Sequence, residues 1–158
     1  MTAPQNGALF VSLTGDEEIK LYDIDTQSGA LELRATSNAH GPSGALCLHP
    51  PENIMLVAHV ESTTLASFAL DANSGDLALI NKVDTQIGIP AHLTTDRAGR
   101  FLLTAYYGGG GVTVHRLGAD GAIGELVQYL DTGIKAHAII AVAEDRFVFV
   151  PHVCPTNK

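Results

Sequence analysis

Four histidines and one tyrosine, His59, His92, His137, His152 and Tyr106, are the residues of this chain best suited to acid–base chemistry. An imidazole with its ordinary pKa of about 6.5 takes or gives a proton near neutral pH, and a phenol donates a hydrogen bond to a polarised oxygen. His59, Tyr106 and His152 follow one another at intervals of 47 and 46 residues, so they occupy matching stations of an internal repeat. Seven histidines also raise the question of a metal. The chain has no His-x-His pair, no HExxH helix and no paired-cysteine spacing. His137 and His152 would supply two ligands where a catalytic zinc takes about three from the protein. No metal and no cofactor is expected.

The elements that must position these groups repeat with a fixed step. Tyr22-Asp-Ile-Asp-Thr-Gln-Ser-Gly29, Phe68-Ala-Leu-Asp-Ala-Asn-Ser-Gly75 and His115-Arg-Leu-Gly-Ala-Asp-Gly121 end on glycines spaced 46 residues apart. Asp96-Arg-Ala-Gly-Arg-Phe-Leu-Leu-Thr-Ala105 recurs as Val142-Ala-Glu-Asp-Arg-Phe-Val-Phe-Val-Pro151, again with a step of 46 between Arg100 and Arg146. Each repeat reads as short β-branched and aromatic runs separated by turn residues, and helix periodicity is weak throughout. Ala45–His49, Ile54–Ala58, Thr64–Leu70 and Leu77–Val83 make one set of four strands; His92–Thr95, Phe101–Tyr106, Val112–Leu117 and Ile123–Leu130 make the next. A period of this length built from four strands is the mark of a β-propeller blade.

The expected fold is therefore all-β, with about thirteen strands. Blade 1 covers about 8–37, blade 2 about 45–83, blade 3 about 91–131, and the start of blade 4 about 137–153. Propellers close with typically about four to eight blades, and each blade stacks its apolar face on the next. Three and a half blades thus predict the N-terminal part of a single, longer propeller domain. They also predict uncovered apolar strands near Leu9–Leu13 and Phe147–Val150, and with them a tendency to self-associate.

Antiparallel pairing puts the start of a blade's first strand beside the end of its second. His92 and His137 are read at strand starts, and His59, Tyr106 and His152 at strand ends, so all five are expected around one mouth. Each has a plainer structural use as well. His137 can bond a loop carbonyl, His92 stands one place out of phase with His137 and can face a neighbouring blade, and Tyr106 can pack as a rim aromatic. The Gly108–Gly111 run lacks the Lys-Ser/Thr of a phosphate loop and opens no helix, so it reads as a hairpin at the mouth. Arg100 and Arg146 fall at turns at the opposite end of the second strand.

The formal net charge of −8 excludes nucleic acid and an anionic membrane as main partners, because both need a basic face. Met1-Thr-Ala-Pro-Gln-Asn has neither a basic nor an apolar leader region, and no apolar run approaches the ~20 residues of a membrane span. Cys47 and Cys154 form no CxxC motif and are read as reduced thiols of a cytoplasmic protein.

The stretch Ile89-Pro-Ala-His-Leu-Thr-Thr-Asp-Arg-Ala-Gly-Arg-Phe to Tyr106-Tyr-Gly-Gly-Gly-Gly111 resembles the third-blade motif of the seven-bladed propeller lactonases. Ala136-His-Ala-Ile139 to Arg146-Phe-Val-Phe-Val-Pro151 resembles the motif that follows it. Tyr106 stands where that family commonly has asparagine, and Ala141-Val142 replace a usual aspartate-proline. The resemblance implies a truncated propeller of the seven-bladed lactonase type that hydrolyses a lactone, with 6-phosphogluconolactone as the implied substrate. It implies His137 as the catalytic acid–base group at the start of its strand. His152, Tyr106, His92 and His59 are the candidate substrate contacts. A cationic partner would come from a later blade, so the chain alone is expected to be inactive. A lactone-forming cycloisomerase and a non-catalytic binding propeller are the alternatives.

Overall fold

The computed structural model describes residues 7–49, 53–142 and 144–153. Cys154, named above, lies outside the described residues, as do Met1 to Asn6 and Ala143. All regular structure among the described residues is β, in antiparallel meanders. β1 (Gly7–Leu13), β2 (Glu18–Ile24) and β3 (Leu31–Asn38) form a three-stranded sheet. β4 (Ser43–His49), β5 (Ile54–His59), β6 (Thr64–Leu70) and β7 (Leu77–Asp84) form a four-stranded one. β8 (Pro90–Thr95), β9 (Phe101–Tyr106), β10 (Gly111–Leu117) and β11 (Ile123–Asp131) form the next, and β12 (Ile140–Val142) pairs with β13 (Phe147–Phe149). This succession of antiparallel sheets is part of a β-propeller.

The last pair differs from the sequence reading. The blade-4 start expected over about 137–153 shrinks to this short pair, and β13 is followed by a lone bridge between Ala136 and His152. Pro151 lies between them and has no N–H to give a ladder. No helix among the described residues is long and apolar enough to cross a membrane.

Sheets are held together face to face. In β5 every residue is buried, and successive side chains go to opposite neighbours. Met55 and Val57 pack with Ile19, Ala39 and Phe68 toward the first sheet. Ile54, Leu56 and Ala58 pack with Leu93, Leu102 and Leu117 toward the third. The pattern repeats in β9, where Leu102 faces back and Leu103 and Ala105 face forward onto Ala136 and Ile139. Burial on both faces explains why these strands are continuous apolar runs and not alternating ones.

The outer strands add polar registration. The Leu77 N–H donates to Ser37 Oγ (2.9 Å), and the equivalent Ile123 N–H donates to Asn81 Oδ1 (3.0 Å). Asn81 Nδ2 returns a bond to the Ile123 carbonyl (2.8 Å). The hairpin glycines Gly75 and Gly121 have φ of +85° and +81°, and a Cβ on either would collide with Leu21 or Ile54 of the preceding blade. Glycine is therefore required there twice over, for the turn and for the fit. The apolar β12–β13 residues Phe147 and Phe149 are 55% and 61% exposed.

Replacing Asn81 by Leu removes both bonds to the buried Ile123 peptide groups. We expect a loss of about 1–3 kcal/mol in urea unfolding, with no change in the m-value. A variant as stable as the parent would show that the pair contributes nothing to blade registration.

Candidate active site

Three blades build the same corner from the same backbone bonds. Ser43 pairs with His59, Pro90 with Tyr106 and Ala136 with His152. The next residue then donates across the gap each time: Val60 N–H to Pro42 (2.9 Å), Tyr107 N–H to Ile89 (3.0 Å) and Val153 N–H to Lys135 (3.0 Å). His59, Tyr106 and His152 thus hold equivalent stations, as the spacing predicts. Their surroundings differ sharply.

His59 has no exposed surface. Its Nε2–H donates to the Ala39 carbonyl (2.9 Å), and its Nδ1 accepts from the Thr64 hydroxyl (2.7 Å). Burial pushes its pKa below the ordinary histidine value. Tyr106 is equally sealed, with its hydroxyl 3.1 Å from Thr113 Oγ1 and close to Thr85 and Thr104. Burial pushes its pKa up. Both polar ends are used internally, so neither side chain has the surface a substrate contact needs. His152 is half-buried, and its Nδ1–H donates to the Ile134 carbonyl (2.9 Å), which leaves Nε2 as the bare nitrogen of a neutral ring.

The structure brings His92 and His137 together. β8 carries a bulge at Ala91, which has no partner in the register, so His92 sits opposite Ala105. His137 donates its N–H to Pro151 (3.0 Å), the residue 46 positions after Ala105. The extra residue therefore restores a phase that counting along the sequence had put one place out. The His92 ring does reach the neighbouring blade: its Nδ1 accepts the Ile139 N–H at 3.4 Å. Burial first, and then the charge of a protonated His137, push the His92 pKa below the ordinary value. His137 itself is exposed, and its ring meets Tyr107 edge-on at 5.7 Å and 76°.

Tyr107 is the site residue that the sequence reading missed. Adjacent side chains point to opposite sides, and at the end of β9 only one side is covered, so one of the pair Tyr106-Tyr107 is sealed inside. Tyr106 is that one, and Tyr107 is 37% exposed beside His137. The glycine run serves close packing. A Cβ on Gly109 would stand 2.2 Å from the Ile87 carbonyl oxygen, and one on Gly110 would crowd Gly133. The hairpin after β9 can thus lie directly on the segments flanking the mouth. Among the described residues no group of three or more His, Cys, Asp or Glu could hold a metal. Arg100 lies at the far end of β9, bonded to the buried Asp96 and 5.7 Å over the Phe101 ring, where it borders a separate cleft of about 380 Å³. Arg146 repeats the stacking on Phe147.

This array of antiparallel blades, with His92, His137 and His152 at the same strand ends, defines part of a β-propeller. The family profile described as "Lactonase, 7-bladed beta-propeller" matches residues 3–153. The chain belongs to this family. A 6-phosphogluconolactonase of Pectobacterium carotovorum is 30% identical over 143 residues, which cover 90% of this chain and 42% of that protein. One from Serratia proteamaculans is 26% identical over the same shares. The chain thus spans about two fifths of the length of these curated relatives. Among solved structures, the periplasmic gluconolactonase of Pseudomonas aeruginosa superposes with a TM-score of 0.80 at 20% identity, covering 93% of this chain and 47% of that one. A protein from Lactobacillus plantarum gives the same TM-score and identity over 93% and 48%. At that identity the superpositions speak for the fold.

The buried histidines give the fold a pH dependence of definite sign. His59, His92 and His115 all have folded pKa values below the ordinary 6.5, with burial as the largest cause. The unfolded chain therefore binds more protons as pH drops, so this stability is complete above 6.5 and is lost as pH falls through the folded values. Asp25, Asp71 and Asp84 act in the same direction lower down, since hydrogen bonds hold each below 3.8. Thermal melts should show a Tm that falls over an upper interval beginning near pH 6.5 and again below about pH 4. A Tm that is flat or rises over the upper interval would contradict the neutral assignment of these rings.

Proposed function

We propose that this chain forms part of a lactone hydrolase that acts on a sugar lactone, with 6-phosphogluconolactone as its substrate. The observation that carries the reading is the exposed His137 imidazole, held by backbone bonds at the mouth, with His92 and Tyr107 beside it. Family membership and the names of the relatives support the reaction class. In this reading His137 takes a proton from the attacking water as it adds to the ring carbonyl. It then returns the proton to the departing ring oxygen, so the lactone opens to the hydroxy acid. His92 offers its ring N–H to a substrate oxygen, and the bare Nε2 of His152 accepts from a substrate hydroxyl. A cationic group outside this chain binds the phosphate or the developing oxyanion. A phosphorylated substrate does not cross membranes unaided, which supports a cytoplasmic location for the enzyme. The exposed apolar pair β12–β13 supports self-association when this chain stands alone.

The test is made on the enzyme that carries this chain together with its remaining blades. His137→Ala should lower kcat for lactone hydrolysis about 100-fold or more and leave the far-UV CD spectrum unchanged. His137→Gln keeps hydrogen bonding without a transferable proton and should be equally impaired. Recovery of most activity by Gln would make His137 an orienting group. Parental activity in both variants would remove it from the mechanism.

A further inference from the structure

The backbone around His137 is pinned at both ends by blade 3. The Lys135 N–H donates to the Tyr107 carbonyl (3.0 Å), and the Ile139 N–H donates to His92 Nδ1 (3.4 Å). Between them, Ala136 is fully buried, and it and Ile139 join the cluster formed by Leu103, Ala105 and Val112. The main chain at His137 is therefore fixed while its side chain stays exposed. Of the two anchors, the Lys135 bond is backbone to backbone and indifferent to sequence. The other depends on a side chain, and it reaches from the equivalent station of the preceding blade.

An N–H can donate only to a bare nitrogen. The Ile139 bond thus requires Nδ1 of His92 to be unprotonated, which puts the ring proton on Nε2. Nε2 has no protein partner among the described residues, and it is not among the buried polar atoms left without one, so it remains open to solvent.

We propose that His92 is a positioning residue for His137: by accepting the Ile139 N–H it holds the segment 135–139 in place, and the same bond locks its own ring as the Nε2–H tautomer, a donor presented at the mouth. This rests on the reading of His137 as the proton carrier. It gives the two imidazoles different roles, one mobile in its proton and one fixed.

Long-range ¹H–¹⁵N NMR of the histidines at about pH 7.5 tests the lock without substrate. The expected result is a His92 ring with Nδ1 bare and Nε2 protonated, together with slow amide exchange at Ile139. An Nδ1–H tautomer or a rapidly averaging ring would overturn the proposal. Variants then separate the roles. His92→Asn places an amide oxygen near the Nδ1 position and should keep the slow Ile139 exchange, whereas His92→Ala should speed it at least about tenfold. In the full enzyme, Ala should lower kcat about tenfold or more, and Asn, which keeps the Ile139 bond but loses the Nε2–H donor, should recover part of that loss. Equal Ile139 exchange in parent and Ala variant, or equal kcat in Ala and parent, would overturn it. The NMR result stands apart from activity. An intact lock with an inert His137→Ala substitution would therefore fail the catalytic reading, and with it the purpose assigned to His92, while a broken lock with an inactive His137→Ala would fail the positioning role alone.

Discussion

Strand β5 has no solvent side. Ile54, Leu56 and Ala58 pack toward one neighbouring sheet, while Met55 and Val57 pack toward the other. Each blade is thus both core and surface for the next, and no sheet in the array can bury its residues alone. The hairpin glycines, the Asn81 bonds and the Ser67 hydroxyl donating to Gly121 (2.6 Å) all serve to register one blade on another. Where that packing ends, at β12 and β13, aromatic and β-branched side chains are left in water.

The same stacking creates the site. Strand ends at one mouth are fixed by a backbone bond repeated in three blades, so whatever residue follows is held in a rigid frame. The frame is indifferent to chemistry. In one blade it holds His59, closed off by Ala39 and Thr64, in the next Tyr106, closed off by threonine hydroxyls, and in the last His152, open on one side. Reactivity at this mouth therefore depends on how well neighbouring loops fill each corner. Blades 3 and 4 leave His92, Tyr107 and His137 accessible, and the inter-blade bond from Ile139 joins two of these stations.

Much of this was legible in the residues themselves. The 46-residue step of Gly29, Gly75 and Gly121 gives the hairpins, because a positive φ leaves glycine as the economical choice. The apolar runs Ile54–Ala58 and Phe101–Leu103 give the two-sided strands. The equivalence of His59, Tyr106 and His152 follows from the same count. What could not be read was their exposure, which depends in part on groups far away in sequence: the Ala39 carbonyl that bonds His59 lies 20 residues earlier. The bulge at Ala91 was equally silent, since an unpaired alanine looks like any other until its partner strand is known. The shortness of β13 was half visible, because Pro151 was in plain view but the strand pattern around it was strong.

The central claim is that lactone chemistry takes place at His137, at a mouth where His59 is sealed away. Histidine acylation followed by peptide mass spectrometry, on the enzyme that carries this chain, tests it directly. In the free enzyme His137 should be modified rapidly and His59 should resist. Saturation with the 6-phosphogluconate product should protect His137 at least about tenfold, since a bound ligand denies reagent access to the site it fills. Modification of His137 at the same rate with and without product would place the ligand elsewhere and contradict the account.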